Sequence, residues 1–270
     1  MGTLISEGVL TKQQRIATLA KQSPERSFLS VNHYLDQEWL AEAYRQVRKN
    51  SAPGVDGQTV EEYGEELTGN LQRLLDRAKS GSYYAPPVKR GYIPKGKGKE
   101  PRPIGLPTVE DKVLQRAVAM ILEPIYEQDF QNCSYGFRPG RSAHHALEAI
   151  WQQIMRQEIK WILDVDIQRF FDTLEHAHLR EFLKRRVRDG VITRLIGKWM
   201  NAGVMENKAI HYPEEGTPQG GVISPILSNI YLHYVLDEWF VNEVKPRLKG
   251  RAFMVRYADD CAPRAQRRIA

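Results

Sequence analysis

Three aspartates in this chain stand where they could hold divalent cations. Asp166 closes the apolar run Trp161-Ile-Leu-Asp-Val-Asp166, and Asp259 and Asp260 follow Phe253-Met-Val-Arg-Tyr257. Adjacent carboxylates repel, and each disfavours ionisation of its neighbour. A divalent cation relieves that repulsion, and magnesium favours carboxylate and phosphate oxygens in octahedral geometry. Two such ions about 3.5–4 Å apart can activate an attacking 3′-hydroxyl and stabilise a leaving pyrophosphate. Neither the Asp-Asp pair nor Asp166 alone distinguishes such a site from a solvated turn. The residues around them do.

The elements that must position these acids are legible in outline. Residues 161–166 read as a central strand and residues 251–257 as a last strand,. Helical spacing predicts helices over 36–50, 59–80, 109–126, 142–157, 179–188, 193–201 and 224–241. Asp36 can cap the first of these, Thr59 and Glu62 have the spacing of a capping box, and Pro225 sits in a first turn where a missing N–H costs nothing. Residues 83–103 are rich in proline and glycine and carry Lys89, Arg90, Lys95, Lys97, Lys99 and Arg102 against Glu100 alone. Residues 1–30 are polar, suggest no element and are expected to be partly disordered. Many helices with a few strands far apart in sequence predict an α+β fold.

Bulk properties narrow the function classes. The 270 residues carry a net charge of +6, which favours a polyanionic partner, nucleic acid before an anionic membrane,. Two cysteines, Cys133 and Cys261, are too few for a disulfide framework or a structural zinc site and fit a reducing compartment,. No basic leader precedes an apolar run at the N-terminus, so no signal peptide is expected. The most apolar stretch, 220–236, is broken by Pro225, Ser228, Asn229 and His233, and reads as a core helix,.

Several motifs then point the same way. Arg256-Tyr-Ala-Asp-Asp260 resembles the Tyr-x-Asp-Asp signature of reverse transcriptases, and Asp164-Val-Asp-Ile-Gln-Arg-Phe-Phe-Asp172 resembles their first palm motif. Gly216-Thr-Pro-Gln-Gly-Gly-Val-Ile-Ser-Pro-Ile-Leu-Ser-Asn229 has the wording found between them in group II intron reverse transcriptases. Ile93-Pro-Lys-Gly-Lys-Gly-Lys-Glu-Pro-Arg-Pro-Ile-Gly-Leu-Pro107 resembles the fingers motif. Ser134-Tyr-Gly-Phe-Arg-Pro-Gly-Arg-Ser142 and Ala52-Pro-Gly-Val-Asp-Gly57 are similar to that family too. All six occur in family order.

The resemblance implies the fingers and palm of a right-hand polymerase, helix-rich, with a small antiparallel palm sheet. It divides the chain into an N-terminal extension (1–30), fingers (31–158), palm (159–260) and a tail (261–270). It implies an RNA-directed DNA polymerase of a group II intron, working on an intron RNA template with a DNA or RNA primer and dNTPs. Asp166, Asp259 and Asp260, with the Ile167 carbonyl, would hold two Mg2+ ions, and Mn2+ could replace them. Lys95 and Arg102 would grip the triphosphate, with Lys97 and Lys99 as alternatives to Lys95. Phe171 would be the steric gate against a 2′-hydroxyl, while Phe170 reads as core. Gln219 and Gly220 would line the nucleotide pocket, and Tyr257 would pack under the primer end. Arg138 and Arg141 would touch template RNA or a neighbouring acid. The resemblance also implies a bacterial cytoplasmic ribonucleoprotein, with no membrane association.

The tail departs from the family. Cys261-Ala-Pro-Arg-Ala-Gln-Arg-Arg-Ile-Ala270 shows no strand alternation, and Pro263 is expected to interrupt a ladder,. A catalytic hairpin with one proper strand, no thumb and weak or absent synthesis is the resulting expectation. The alternatives are an inactive fragment of a mobile element, or an RNA-binding, maturase-like module without synthesis.

Overall fold

The computed structural model describes residues 5–94, 101–157, 161–167, 170, 173–207, 209–212, 220–248 and 252–265. Short polar side chains start several of its helices by accepting bonds from otherwise unpaired backbone N–H groups,. Ser6 caps α1 (Glu7–Gln22) through the Val9 N–H, and Asp36 caps α2 (Gln37–Gln46) through that of Trp39. Thr59 and Glu62 make the expected capping box on α3 (Val60–Glu65). The helix expected over 59–80 is broken at Glu66 (φ −116°, ψ 39°), and α4 (Leu67–Ser80) follows. Gly64 and Gly69 flank the break and lower helix propensity there,.

Next come β1 (Val88–Ile93), β2 (Arg102–Leu106) and α5 (Val109–Tyr126), then α6 (Ala143–Gln157), β3 (Trp161–Ile162) and β4 (Val165–Asp166). After α7 (His176–Arg186) and α8 (Gly190–Met200) come β5 (Val204–Glu206) and β6 (Ala209–His211). α9 (Ser224–Leu232) runs on into a π-helical stretch, His233–Asp237, and a second, Phe240–Val244. β7 (Ala252–Tyr257) and β8 (Asp260–Ala265) complete the order. Among the described residues no helix is long and apolar enough to cross a membrane.

The chain forms two compact units. The first comprises Met1–Gln128 with Phe171–Ser224, and the second Asp129–Phe170 with Pro225–Ala270. The boundary expected near residue 158 therefore falls inside the second unit.

The first unit is built around α5. Val113, Leu114, Ala117, Val118, Ile121 and Ile125 are fully buried, so the helix is covered on nearly every face,. α1 and α2 pack on it, and the fully buried Trp39 indole donates to the Ala117 carbonyl at 2.9 Å. The expectation for residues 1–30 is corrected here. Val9, Ile16 and Ala20 in α1 are fully buried at helical spacing, a stripe that the polar residues between them obscure,. Four short strands in the order β2-β1-β5-β6 form this unit's sheet. β1 and β2 are antiparallel, with Ile93 opposite Arg102, and β1 runs parallel to β5.

The second unit holds the other sheet, and β8 is its central strand. β7 pairs along its whole length with β8, from Ala252↔Ala265 to Tyr257↔Asp260. On the other side of β8, β3 pairs Trp161↔Ala265 and Ile162↔Arg264, and β4 pairs Val165↔Cys261 and Asp166↔Asp260. Two expectations are thereby corrected. The segment after Asp259 is a strand, and the hairpin has both its strands. Residues 161–166 are two short strands at the sheet's side, not its centre. The physical reason is the gap between β3 and β4. Pro263 has no N–H to offer a second neighbour, and it lies opposite that gap while keeping Met254 as its partner on β7. The core beneath contains Phe240, Met254 and Cys261, with Cys133, Val165 and Leu236 packed against them.

Candidate active site

The β7–β8 hairpin turns through two residues, Ala258 and Asp259, since Tyr257 pairs with Asp260. Two-residue hairpins that match the strand twist need positive φ at the first central position, where glycine or asparagine is usual. Here alanine takes that conformation, with φ 58°. The turn places Asp259 and Asp260 side by side at the end of the sheet, and the β4 pairing sets Asp166 directly across from Asp260. Directly opposite residues share one face of a sheet, with Cβ atoms about 4.5–5.5 Å apart.

The electrostatics match that geometry. Burial, then the charges of Asp259, Asp166 and Asp164 in that order, push the Asp260 carboxyl above its usual range. Asp164 is a participant that the sequence reading quoted within a motif without assigning it a place in the site. The signal was its spacing, two residues before Asp166. Asp164, Asp166 and Asp260 are exposed, and Asp259 is half-buried.

This donor set fits magnesium. It offers hard carboxylate oxygens alone, the ligands Mg2+ and Mn2+ prefer. Among the described residues no three His, Cys, Asp or Glu side chains are arranged to ligate one ion together. Mg2+ is ordinarily held by one or two carboxylates, with water and substrate phosphates filling its shell. Two facing carboxylates with a third beside them suit that mode.

The other expected site residues divide into three groups. Ile167 follows β4 directly and is half-buried, and Tyr257 ends β7 exposed. In the first unit, Arg102 opens β2 on an exposed position. Gly220 has φ 105°, and a Cβ there would strike the Gly105 carbonyl oxygen, so this backbone approach needs glycine,. Lys95, Lys97, Lys99, Phe171 and Gln219 lie outside the described residues. Phe170 is buried against the Tyr231 ring, in keeping with its reading as core.

Arg138 and Arg141 are anchored to backbone. Each binds backbone carbonyls of the turn before it: Arg138 those of Gln131 and Ser134, Arg141 those of Asn132 and Ser134. Their guanidinium groups lie over the rings of Phe130 and Tyr135. They tie a loop together. The two cysteines are core thiols. Burial pushes both upward, Cys133 to about 12, which leaves no nucleophilic thiolate at neutral pH,.

The structure around the hairpin includes one further charge. Arg256, in the middle of the Tyr-x-Asp-Asp signature's approach, is completely buried and pairs with the equally buried Asp237. Its backbone N–H donates to the Cys133 carbonyl at 2.8 Å, and its carbonyl accepts from the Tyr135 N–H at 2.8 Å. The Ser134 segment is thus laced alongside β7. Asn229 Nδ2 donates to the Gly136 carbonyl at 2.8 Å, which brings α9 to the same place.

Comparison with known proteins identifies the family. Residues 93–267 match the family model described as reverse transcriptase (RNA-dependent DNA polymerase). Protein YkfC of Escherichia coli (strain K12) is 38% identical over 265 residues, covering 90% of this chain and 69% of that protein. The group II intron-encoded protein LtrA of Lactococcus lactis subsp. cremoris is 37% identical over 236 residues, covering 86% of this chain and 38% of its own. An uncharacterized 91 kDa protein in the cob intron of Schizosaccharomyces pombe is 33% identical over 241 residues, covering 88% of this chain and 29% of its own. The chain therefore spans well under half the length of these two intron-encoded relatives. Among solved structures, a chain of a partial Cas6-RT-Cas1–Cas2 complex superposes with a TM-score of 0.52 at 21% identity, covering 86% of this chain and 37% of that one. That likeness supports the fold. With the acidic hairpin, the α+β architecture and the family match over most of its length, the chain belongs to the group II intron reverse transcriptase and maturase family.

Proposed function

We propose that this chain carries the polymerising centre of an RNA-directed DNA polymerase, extending a primer 3′-hydroxyl along intron RNA with dNTPs. The observation that carries the reading is the register pairing of Asp166 with Asp260 next to Asp259 at the hairpin turn. RNA binding alone does not call for facing, mutually repelling carboxylates, whereas metal-assisted nucleotidyl transfer does. When bound there, two Mg2+ ions would supply activation of the 3′-hydroxyl and stabilisation of the leaving pyrophosphate. Asp166, Asp259 and Asp260, with the Ile167 carbonyl, are the residues we assign to hold them, and Mn2+ suits the same oxygens.

The remaining assignments follow the family motifs. Lys95 and Arg102 contact the triphosphate, and Arg102 suits it because a guanidinium fork binds phosphate bidentately. Phe171 excludes a ribose 2′-hydroxyl, Gln219 and Gly220 line the nucleotide pocket, and Tyr257 supports the primer end. The working form is a ribonucleoprotein in the bacterial cytoplasm.

Primer extension tests this reading. Purified chain is given an RNA template, a DNA primer, Mg2+ and dNTPs, beside an Asp259→Ala control. The expected result is template-dependent extension that falls to background in the control. RNA binding equal in both proteins with extension in neither would replace this reading with an RNA-binding, maturase-like module.

A further inference from the structure

We infer that Arg256, paired with Asp237, is the positioning residue that aims the catalytic hairpin. The inference rests on the polymerase reading above for its purpose, though not for its geometry. A guanidinium has five N–H donors, and here there are five acceptor contacts for them. Nε donates to Asp237 Oδ1 at 2.7 Å, and Nη2 to Asp237 Oδ2 at 2.6 Å and Ser134 Oγ at 2.7 Å. Nη1 donates to Asn229 Oδ1 at 3.1 Å and to the Ala258 carbonyl at 2.9 Å.

The last of these bonds is the informative one. The Ala258 carbonyl belongs to the peptide that joins Ala258 to Asp259. That peptide is planar, so holding its oxygen fixes the orientation in which Asp259 leaves the turn. The turn needs holding, because alanine at φ 58° occupies a conformation that L-residues with a Cβ disfavour,. Gly136 also presses on this turn, where a Cβ would collide with the Ala258 nitrogen.

The helix that supplies Asp237 is shaped for this task. In a regular α-helix, residues eight apart such as Asn229 and Asp237 are offset by roughly 80° around the axis. The π-helical stretch His233–Asp237 winds more widely and takes up that offset,. Both side chains consequently reach one guanidinium. Lysine at 256 has three donors on a single nitrogen and cannot span the five acceptors.

The test separates positioning from mere support of the fold. A buried ion pair can be replaced by apolar residues of similar volume with little loss of stability. The Arg256→Met, Asp237→Leu double variant therefore keeps the fold while removing the bond to Ala258. Two readouts are compared with the wild-type chain: Mn2+ binding by titration calorimetry, without nucleic acid, and single-nucleotide primer extension. With a melting temperature near wild type, Mn2+ affinity is expected to fall about 10- to 100-fold, as for other residues that orient metal ligands. In extension, kcat falls by a similar factor while KM for dNTP stays within about two-fold. Wild-type Mn2+ affinity in a folded double variant overturns the inference. The calorimetric arm decides even if the wild-type chain extends no primer, so failure of the polymerase reading is seen separately. Should the double variant not fold, Ser134→Ala decides, since it removes one of the five bonds and spares the ion pair. A loss of Mn2+ affinity of about two-fold or more supports positioning, and none overturns it.

Discussion

Each of the two units is stabilised internally in its own way. Around α5 the first unit is apolar on nearly every side, and its buried charges meet backbone: Arg186 donates to the Ala20 and Ser23 carbonyls, and Asp189 accepts from the Val31 and Ile192 N–H groups. The second unit has a smaller apolar core and depends on a buried charge pair with five hydrogen bonds at the point where its sheet turns. Apolar packing tolerates small shifts, because dispersion is non-directional and spread over many contacts. A charge-assisted network is directional and loses heavily when one member goes. The carboxylates that we assign to metal binding therefore sit beside a directional network.

The largest expected effects probe this contrast directly. Asp237→Ala leaves the Arg256 charge buried without its counter-ion and should cost about 3–5 kcal/mol in a urea titration. Leu114→Ala, in the fully buried middle of α5, should cost about 2–5 kcal/mol, depending on how far the cavity collapses,. A silent Asp237→Ala would break the comparison, since the network would then contribute nothing that packing does not. Gly220→Ala comes next. It adds a Cβ against the Gly105 carbonyl at φ 105° and should cost about 1–3 kcal/mol,.

A pH titration sharpens the picture of the first unit. Burial, with the Asp56 charge, pushes the Asp111 carboxyl up to about 7, where the Tyr83 hydroxyl donates to it. The unfolded chain releases that proton near pH 4 and the folded chain near pH 7,. The unfolded state thus binds fewer protons across this window, and stability falls as pH rises through it. Asp111→Asn should flatten the fall, which denaturant midpoints at pH 5 and pH 7 will show.

The smallest effect is the most diagnostic of function. Asp166→Asn removes a like charge opposite Asp260 and should stabilise the fold by about 0.2–1 kcal/mol, at the low end because both carboxylates are exposed,. The same substitution should abolish primer extension. A variant that gains stability and loses activity identifies the repulsion as a cost of function. One that loses stability removes that explanation.

Much of this was legible in the sequence, and the exceptions have physical causes. Capping residues and helical spacing located α2, α3, α5 and α6, because those signals act within a turn or two of the chain. The residues around Asp166, Asp259 and Asp260 singled them out, and the sheet brings Asp166 opposite Asp260. What local patterns could not show was β8. Its sequence, with Pro263 in the middle, reads as a breaker, and only the interruption between β3 and β4 makes that proline acceptable. Likewise Arg256 looked like an ordinary strand residue, since its partners Ser134, Asn229 and Asp237 come from distant segments. Long-range pairing of this kind leaves no periodic trace. The four strands of the first unit's sheet were mostly missed for a similar reason: β5 and β6 have three residues each, too few for an alternation to be recognised.

The central position of β8 also sets an order of events during synthesis. β3 and β4 leave the ribosome long before β8, yet they pair with β8 and not with each other. Closing so long a loop is entropically slow, and nothing rewards it until the later strand is present. Asp166 consequently waits on the nascent chain without Asp260 opposite it. A protein translated beside the RNA it is proposed to copy has no assembled carboxylate site until translation has passed Ala265.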